Sequence, residues 1–533
     1  MLCRGCDGSG VEDEAEDQAI ICVVLEGGPC LPCKEREDIR EKIEQLEEEI
    51  IKLKAKHRAL GSRANEIHDP FIHKLPPEIG SHIFRLSLPT LDFEDVYLWD
   101  KPAAFTTVLR LGAVCQKWRQ LAWATPDLWD TLYLRIPSWI KRPLIPWLPD
   151  LLREWLCRSG MRPLTIFLHY FRYYEENGYY PPYECSVESA IISLEAAADL
   201  IIEVINSHSS RWRSLHLNVG ADIPERLCGS MKPNQLLFLE LTGDGKRSHT
   251  PKFVMKSKPF PTQLTLRHFP PTSIDIGWDN ITRAILCDLY GDECLEVLRR
   301  TPALEYCLAR PWNEATVDFG TTIHPHLRSL DISSTGTTFL DAINVPSLEK
   351  WIHNTEGAPL PVMAMVSLLQ RSGCCLKILM LQRISVPPDD LSILFQAMPS
   401  LEHLQLHFWS VRNADGVMDD ILARIFNSPL GNSTIPSEEA NRESFLPRLR
   451  VMECSTSCTM APFSWNRIPQ LCRQGHRRSL TLKAFAKQSH ISDETALQLL
   501  KLIDEGMKLH ILDETTKGGG DFLENFRKRV CNL

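Results

Sequence analysis

"LLQRSGCCLKILML", residues 368–381, reads as an amphipathic helix, a short turn and an extended segment of alternating apolar residues. The extended part has the form apolar-x-x-apolar-x-apolar, and this form returns along most of the chain. From residue 212 to residue 401, successive copies begin 20 to 28 residues apart. Such a period is typical of repeats in which each unit adds one short strand and one helix or loop to a stack.

Six copies keep the form well, a seventh is more degenerate, and four weaker copies fill the intervals between them. The clear copies begin at residues 129 (WDTLYL), 212 (WRSLHL), 236 (LLFLEL), 327 (LRSLDI), 376 (LKILML) and 401 (LEHLQL), the more degenerate one at 449 (LRVMEC), and the weaker ones at 261, 281, 304 and 348. The pattern resembles leucine-rich repeats, although their consensus asparagine is mostly missing. It predicts a mixed α/β fold class with an irregular leucine-rich-repeat solenoid over residues 131–510. The alternative is an unrelated α/β domain with apolar strands.

The end of the chain carries a different pattern. "DETALQLLKLIDEGMKLHIL", residues 493–512, predicts a helix that closes the array, and residues 511–533 are expected to form a cap or a loose tail. A tyrosine-rich stretch at residues 169–184 suits either recognition of another protein or a packed loop.

Residues 38–68 have a heptad pattern that predicts a coiled-coil helix. Apolar or near-apolar residues fall at alternating steps of four and three, as in the a/d seam of about four heptads. They are Ile39, Ile43, Leu46, Ile50, Leu53, His57, Leu60, Ala64 and Ile67. The pattern favours a homodimer through residues 39–67, which His57 at an a position would weaken. The alternative is a single amphipathic helix that packs on its own domain.

Two amphipathic segments follow the heptads. In "HKLPPEIGSHIFRLSLP", residues 73–89, two prolines can begin a helix that carries apolar residues along one side. The second segment is "TVLRLGAVCQKWRQLAWATPDLW", residues 107–129. Together they form a unit of about 40 to 60 residues, which is below the size at which a core is self-sufficient. We therefore expect a partner to cover its apolar surface.

These two segments resemble an F-box, the helical module that docks on the Skp-type adaptor of cullin-RING ubiquitin ligases. The resemblance covers residues 71–130, with a longer spacer between Phe84 and Val114 than the family has. By resemblance, the adaptor-binding residues are Leu75, Pro76, Glu78, Ile79, Ile83, Phe84, Leu109, Val114, Cys115, Trp118 and Leu121. The layout of the chain is similar to the large F-box families of mushroom-forming fungi. The alternative is an ordinary helical hairpin that buries these residues within the protein.

The resemblance implies a substrate-recognition subunit of an SCF-type ubiquitin ligase. Its partners would be the Skp-type adaptor, the cullin bound through it, and a substrate protein held on the concave strand face of the repeat array. Holding the substrate beside a charged conjugating enzyme would accelerate ubiquitin transfer by proximity. The alternatives are an adaptor-bound protein acting outside ubiquitination and a plain repeat-type binding scaffold.

Composition and missing motifs limit the functional classes to which the protein could belong. The net charge of −9 and the pI near 6.0 do not favour sequence-independent nucleic-acid binding. The longest apolar runs are far below the ~18 residues that span a bilayer, so no membrane insertion is expected. Phosphate-loop, HExxH and GxSxG motifs are missing, which predicts no enzymatic activity and no cofactor. Eighteen cysteines scattered through apolar segments predict reduced thiols in the cytoplasm or nucleus.

The acidic segment 1–37 contains two CxxC pairs, Cys3 with Cys6 and Cys30 with Cys33. Four thiolates in such pairs can bind one tetrahedral zinc. The segment between the pairs is longer than in common zinc ribbons and strongly polar. We therefore expect a disordered tail without metal, and a structural zinc on these four cysteines is the alternative.

Overall fold

A computed structural model describes most of the chain, and the chain divides into two compact units, Met1–Trp129 and Asp130–Leu533. The described residues are 30–68, 75–88, 103–137, 147–171, 198–219, 222–243, 245, 252–313, 320–333, 336–385, 388–409, 417–427, 445–456, 464–474, 481–486, 491–513 and 521–531. Cys3, Cys6, the spacer 89–102 and most of the tyrosine-rich stretch lie outside them.

The first unit is helical in its described part. Its elements are α1 (Leu31–His68), α2 (Pro77–Leu86), α3 (Ala103–Val114), α4 (Gln116–Trp123) and a 3-10 turn (Pro126–Leu128). Helix α2 begins immediately after Pro76, because a proline in the first turn loses no intrahelical hydrogen bond. The predicted N-terminal helix is confirmed, and it begins seven residues before residue 38 because "LPCKERE" continues the helix.

The second unit contains a large parallel sheet. Within the described residues it has 14 strands, and each of them pairs with the next strand of the same sheet along the chain. The strands are β1 (Thr131–Pro137), β2 (Leu164–Phe171), β3 (Trp212–Asn218), β4 (Phe238–Thr242), β6 (Gln263–Arg267), β8 (Arg283–Leu289), β9 (Tyr306–Pro311), β11 (Ser329–Ser333), β13 (Lys350–Asn354), β14 (Ile378–Ile384), β15 (His403–Phe408), β16 (Val451–Thr456), β17 (Thr481–Ala486) and β18 (Lys508–Asp513). The predicted mixed α/β class is thereby confirmed.

Short strands and helices connect the strands of this sheet. Two-residue strands form two further parallel pairs: β5 (Phe253–Val254) with β7 (Ile274–Asp275), and β10 (Thr322–Ile323) with β12 (Ile343–Asn344). The helices are α5 (Leu148–Arg158), α6 (198–207), α7 (Asp222–Arg226), α8 (Gly291–Arg300), α9 (Thr338–Asp341), α10 (Val362–Ser372), α11 (Pro388–Gln396), α12 (Val417–Asn427), α13 (Ile468–Gln474), α14 (Asp493–Asp504) and α15 (Phe522–Cys531).

The repeated motif explains the strands and their register. Its last two apolar positions are two residues apart, so both side chains lie on the same face of a strand. Leu330, for example, pairs in register with Cys307 on one side and Trp351 on the other, and all three are buried. All eleven quoted copies coincide with strands of the sheet. Stacking these positions buries one continuous apolar core.

The C-terminal helix prediction is wrong for its last residues. Helix α14 ends at Asp504, and Gly506, at φ 99°, ends the helical path in a conformation that favours glycine. "KLHILD" then forms the edge strand β18, in which Leu509 and Ile511 continue the buried rows of the neighbouring strand. If these residues continued the helix instead, Leu509 and Ile511 would lose this burial. In the region expected to be a cap or tail, residues 522–531 form helix α15.

Acid should weaken the second unit through His324. This side chain is 1% exposed, and neither ring nitrogen has a hydrogen-bond partner within the described part of the chain. Burial lowers the pKa of His324 from 6.5 to about 4. The unfolded chain therefore takes up a proton at higher pH than the folded chain. Stability should fall as pH drops from about 6.5 to about 4, by at most ~3 kcal/mol from this group.

Urea unfolding of the full chain at pH 7 and at pH 4.5 measures this effect. His324→Asn should flatten the dependence of unfolding free energy on pH, because the replacement does not titrate. His326→Asn, two residues away at an exposed position, is the matched control and should leave the profile unchanged. Equal profiles for the wild type and His324→Asn would contradict the assignment.

Candidate functional site

The first candidate site is the helical module formed by α2, α3 and α4. The rings of Phe84 on α2 and Trp118 on α4 have their centroids 4.8 Å apart. One turn earlier, a Cβ at Gly80 would lie 2.7 Å from Leu121 Cδ2, so a larger residue there would require the Leu121 side chain to shift. The module therefore has a small internal core.

Polar contacts fix α4 and the turn that follows it against the rest of the module. Cys115 ends α3 and caps α4, because the Trp118 backbone N–H donates to its Sγ at 3.4 Å. The Trp129 indole Nε1 donates to the Ala122 carbonyl at 2.7 Å. The hydroxyl groups of Ser81 and Thr125 lie 2.8 Å apart, which joins α2 to the turn after α4. These bonds keep the relative positions of the helices well defined.

The module also exposes an unusual number of large apolar side chains. Ile79 is 47% exposed and Leu109 is 54% exposed, and Val114 is exposed at the end of α3. Leu86 and Trp123 are exposed as well, although the motif comparison did not single out either of them. Leu86 lies on the apolar side that the spacing predicts for α2, a position that also fits an internal core. Such a surface marks a contact site for another protein.

The structure separates the predicted adaptor-binding residues by burial. The exposed ones are Pro76, Glu78, Ile79, Leu109 and Val114. The half-buried ones are Leu75, Ile83, Trp118 and Leu121. Phe84 and Cys115 are buried within the module at 2% and 5% exposure, so they support its core and are covered by their own chain. The exposed residues can therefore contact an adaptor directly, and the half-buried ones can do so with only part of their side chains.

Comparison with known families agrees with this geometry. Residues 72–135 match the family model described as F-box-like. The chain thus carries an F-box-like domain, whose presence implies binding to a Skp-type adaptor as it occurs in ubiquitin ligase complexes. The matched range is close to the 71–130 expected from the motifs. No curated protein matches the chain.

The second candidate site is a cavity of about 470 Å³ in the second unit, at the carboxyl ends of strands β6 to β13. This volume lies within the range of ligand-binding pockets. Its lining includes Arg267, Cys287, Asp288, Arg310, Trp312, Asn354 and Glu356. Sequence analysis did not predict it, because its residues come from several repeats and only the sheet brings them together.

Both charge signs line the cavity. Arg267 on β6 and Arg310 on β9 pair in register with Cys287 on β8, one from each side. The Cα atoms of the two arginines are therefore about 10 Å apart, which is two strand spacings. Arg267 Nε lies 3.8 Å from Glu240 Oε1. Burial raises the pKa of the Cys287 thiol, an effect that the two guanidinium groups partly oppose. The guanidinium groups of these two arginines are the groups in the cavity that could bind an acidic ligand group.

The lining of the cavity also includes acidic residues. Asp288 adopts a left-handed conformation at a bulge in β8, and its Oδ2 lies 3.5 Å from His268 Nε2. Glu356 also has positive φ, and its Oε1 accepts a 3.4 Å hydrogen bond from the Ser333 hydroxyl. Trp312 is 72% exposed beside them. The combination of indole, guanidinium and carboxylate groups suits a polar peptide segment.

An aromatic stack lies next to the cavity on the same sheet face. The His216 ring lies between Phe167 and Phe238, with centroid distances of 4.1 and 4.5 Å. His216 Nδ1 lies 2.7 Å from Glu240 Oε2, and Glu240 also faces Arg267. These contacts fix the orientation of Glu240, which in turn positions Arg267 at the cavity.

Other predictions concern metal and membrane. Among the described residues, no group of three or more potential ligands could hold a metal ion. Cys30 precedes α1 and Cys33 lies in its first turn, while Cys3 and Cys6 lie outside the described residues, so the predicted absence of zinc stays a prediction. Across the described helices, none is both long and apolar enough to cross a membrane.

Proposed function

We propose that the chain is the substrate-recognition subunit of an SCF-type cullin-RING ubiquitin ligase. The F-box-like domain at residues 72–135 carries this proposal, because its exposed apolar residues suit an adaptor surface. The adaptor would bring the cullin, and the second unit would bind the target protein. The chain itself would hold the target without catalysing the transfer, and it would act in the cytoplasm or nucleus.

As part of the same proposal, the second unit is an irregular leucine-rich-repeat solenoid. The support is the order of the 14-stranded sheet, whose strands pair in the order in which they occur along the chain, together with the repeated burial of the same motif positions. The resemblance of the whole layout to the F-box families of mushroom-forming fungi belongs to this proposal too.

Reconstitution of the complex tests the proposal. The full chain is co-expressed with a Skp-type adaptor and a cullin, and the product is separated by size-exclusion chromatography. Co-elution of all three proteins supports the ligase reading. Co-elution with the adaptor alone would favour the second candidate, a binding scaffold that acts outside ubiquitination. Elution without the adaptor would refute the proposal.

We assign target contact to the cavity beside Arg310. This arginine has no ion pair within the described residues and stands next to the exposed Trp312. A photo-crosslinking benzoyl-phenylalanine in place of Trp312 should therefore capture proteins from a cell extract, and Arg310→Glu should remove these products. The same amino acid in place of Met363, which is 71% exposed on α10, is the control and should capture fewer. Equal capture at both positions would contradict the assignment.

A further inference from the structure

Helix α1 presents an apolar stripe that its own chain leaves exposed. Ile39, Ile43, Leu46, Ile50, Leu53, Leu60 and Ile67 all belong to this stripe, and each is about half exposed or more. An isolated helix with such a stripe gains stability only when another surface covers it. Residues that flank the stripe carry charge, and their order indicates what that surface is.

The steps of four and three assign each residue a heptad position. The a positions include Ile43 and Ile50, and the d positions include Leu46, Leu53 and Leu60. A β-branched residue at a with leucine at d favours parallel coiled coils of two strands. His57 occupies a later a position and Ala64 the next, so the seam is strongest in its first half.

The charges at the g and e positions decide the pairing. In a parallel in-register dimer, each g residue faces the e residue five places later on the other helix. In the first three heptads, the g residues Glu35, Lys42 and Glu49 would face Arg40, Glu47 and Lys54 of the second copy, respectively. All three pairs are attractive, and two-fold symmetry repeats them. Arg40 also contacts Glu37 on its own helix.

The same charges also select the register. Over these three heptads, their sign alternates from one heptad to the next at both the g and the e positions. A shift of one heptad would place Lys42 opposite Lys54 and Glu49 opposite a residue without charge, Gly61. The favourable pairs of the in-register arrangement would be lost, and like charges would meet.

We propose that α1 pairs with α1 of a second copy as a parallel, in-register coiled coil. Two chains would then leave the coil at the same end, after His68, and each F-box-like domain begins within a few residues of that point. The dimer would carry two adaptor-binding modules side by side. Targets with two binding sites would gain avidity from this arrangement.

A charge exchange at the e positions tests orientation as well as pairing. The variant Arg40→Glu, Glu47→Lys and Lys54→Glu turns all three g-to-e pairs into like-charged pairs. In an antiparallel coil, e faces e and g faces g, so exchanging these e charges changes both partners of each e–e pair and leaves the sign of that pair unchanged. The proposal predicts that this variant raises the dissociation constant of the dimer at least tenfold, measured on the full chain by analytical ultracentrifugation.

A matched control places the same charge changes away from the seam. Arg58→Glu, Glu48→Lys and Lys52→Glu alter the net charge equally at exposed b, c and f positions. The 3.6 Å pair between Lys52 and Glu48 would be reversed and retained in this control. Dimerisation of the control should equal that of the wild type.

Exchange at the g positions completes the test. A second variant, Glu35→Lys, Lys42→Glu and Glu49→Lys, should also fail to pair with itself. Mixed with the e-position variant, it should form a heterodimer, because every facing pair is attractive again. A monomeric wild type, or an e-position variant that still dimerises, would overturn the proposal. Adaptor binding should be the same in all variants, so this result is independent of the proposed function.

Discussion

Replacement of Ile79 and Leu109 by aspartate should abolish binding of the chain to a Skp-type adaptor. The two side chains are about half exposed on α2 and α3. An adaptor that covers these positions must bury the side chains that occupy them, including any carboxylates introduced there. Burying two carboxylates in place of two apolar groups costs several kcal/mol without new partners. The dissociation constant should rise at least 100-fold, which calorimetry or a pull-down with purified adaptor can measure.

The control for this variant adds the same two charges elsewhere on the module. Gln116→Asp and Gln120→Asp lie at exposed polar positions of α4. They should leave adaptor binding within a fewfold of the wild type, and circular dichroism should show both variants folded. Equal binding by the Ile79 and Leu109 variant would show that the adaptor uses another surface.

Replacement of Trp351 by alanine should cause a large loss of stability in the second unit. The indole is fully buried in β13, between Leu330 and Leu379 at the same register of the adjacent strands. Truncation leaves a cavity that the surrounding strands cannot close, so the unfolding free energy should fall by about 3 to 5 kcal/mol. Denaturant unfolding followed by circular dichroism measures the change.

Trp351→Leu is the matched comparison, since leucine fills the same register position in both neighbouring strands. It should cost clearly less than alanine because more of the core volume is retained. If both replacements cost the same, the indole would be stabilised by something other than packing. Neither replacement should change adaptor binding, because the helices of the F-box-like domain lie in the first unit.

These predictions separate two properties of the chain. Ile79 and Leu109 belong to a surface that needs a partner, whereas Trp351 belongs to a core that its own chain completes. The F-box-like domain is below the size at which an internal core alone is strongly stabilising. The large sheet has no such limit, because each added repeat extends the buried rows.

Local patterns in the sequence determined much of the fold. Apolar residues two places apart predict a strand with one buried face, and the quoted copies all became strands of one parallel sheet. The heptads predicted α1, and the ordered pair of motifs "LPPEI" and "VCQKW" indicated the F-box-like domain. Each of these signals depends on residues close in the chain, so no knowledge of tertiary contacts was needed.

Other features were decided only by the tertiary structure. Phe84 and Ile79 belong to one motif, yet helix packing buries the first and exposes the second. The strand β18 was not predicted because "KLHIL" continues the apolar spacing of the preceding helix. Its extended form depends on hydrogen bonds and burial beside β17, which the local sequence does not show. The cavity joins Arg267 to Glu356 across several repeats, a proximity that no local pattern encodes. Local spacing thus determined the elements, whereas burial and the meeting of distant side chains depended on how those elements pack.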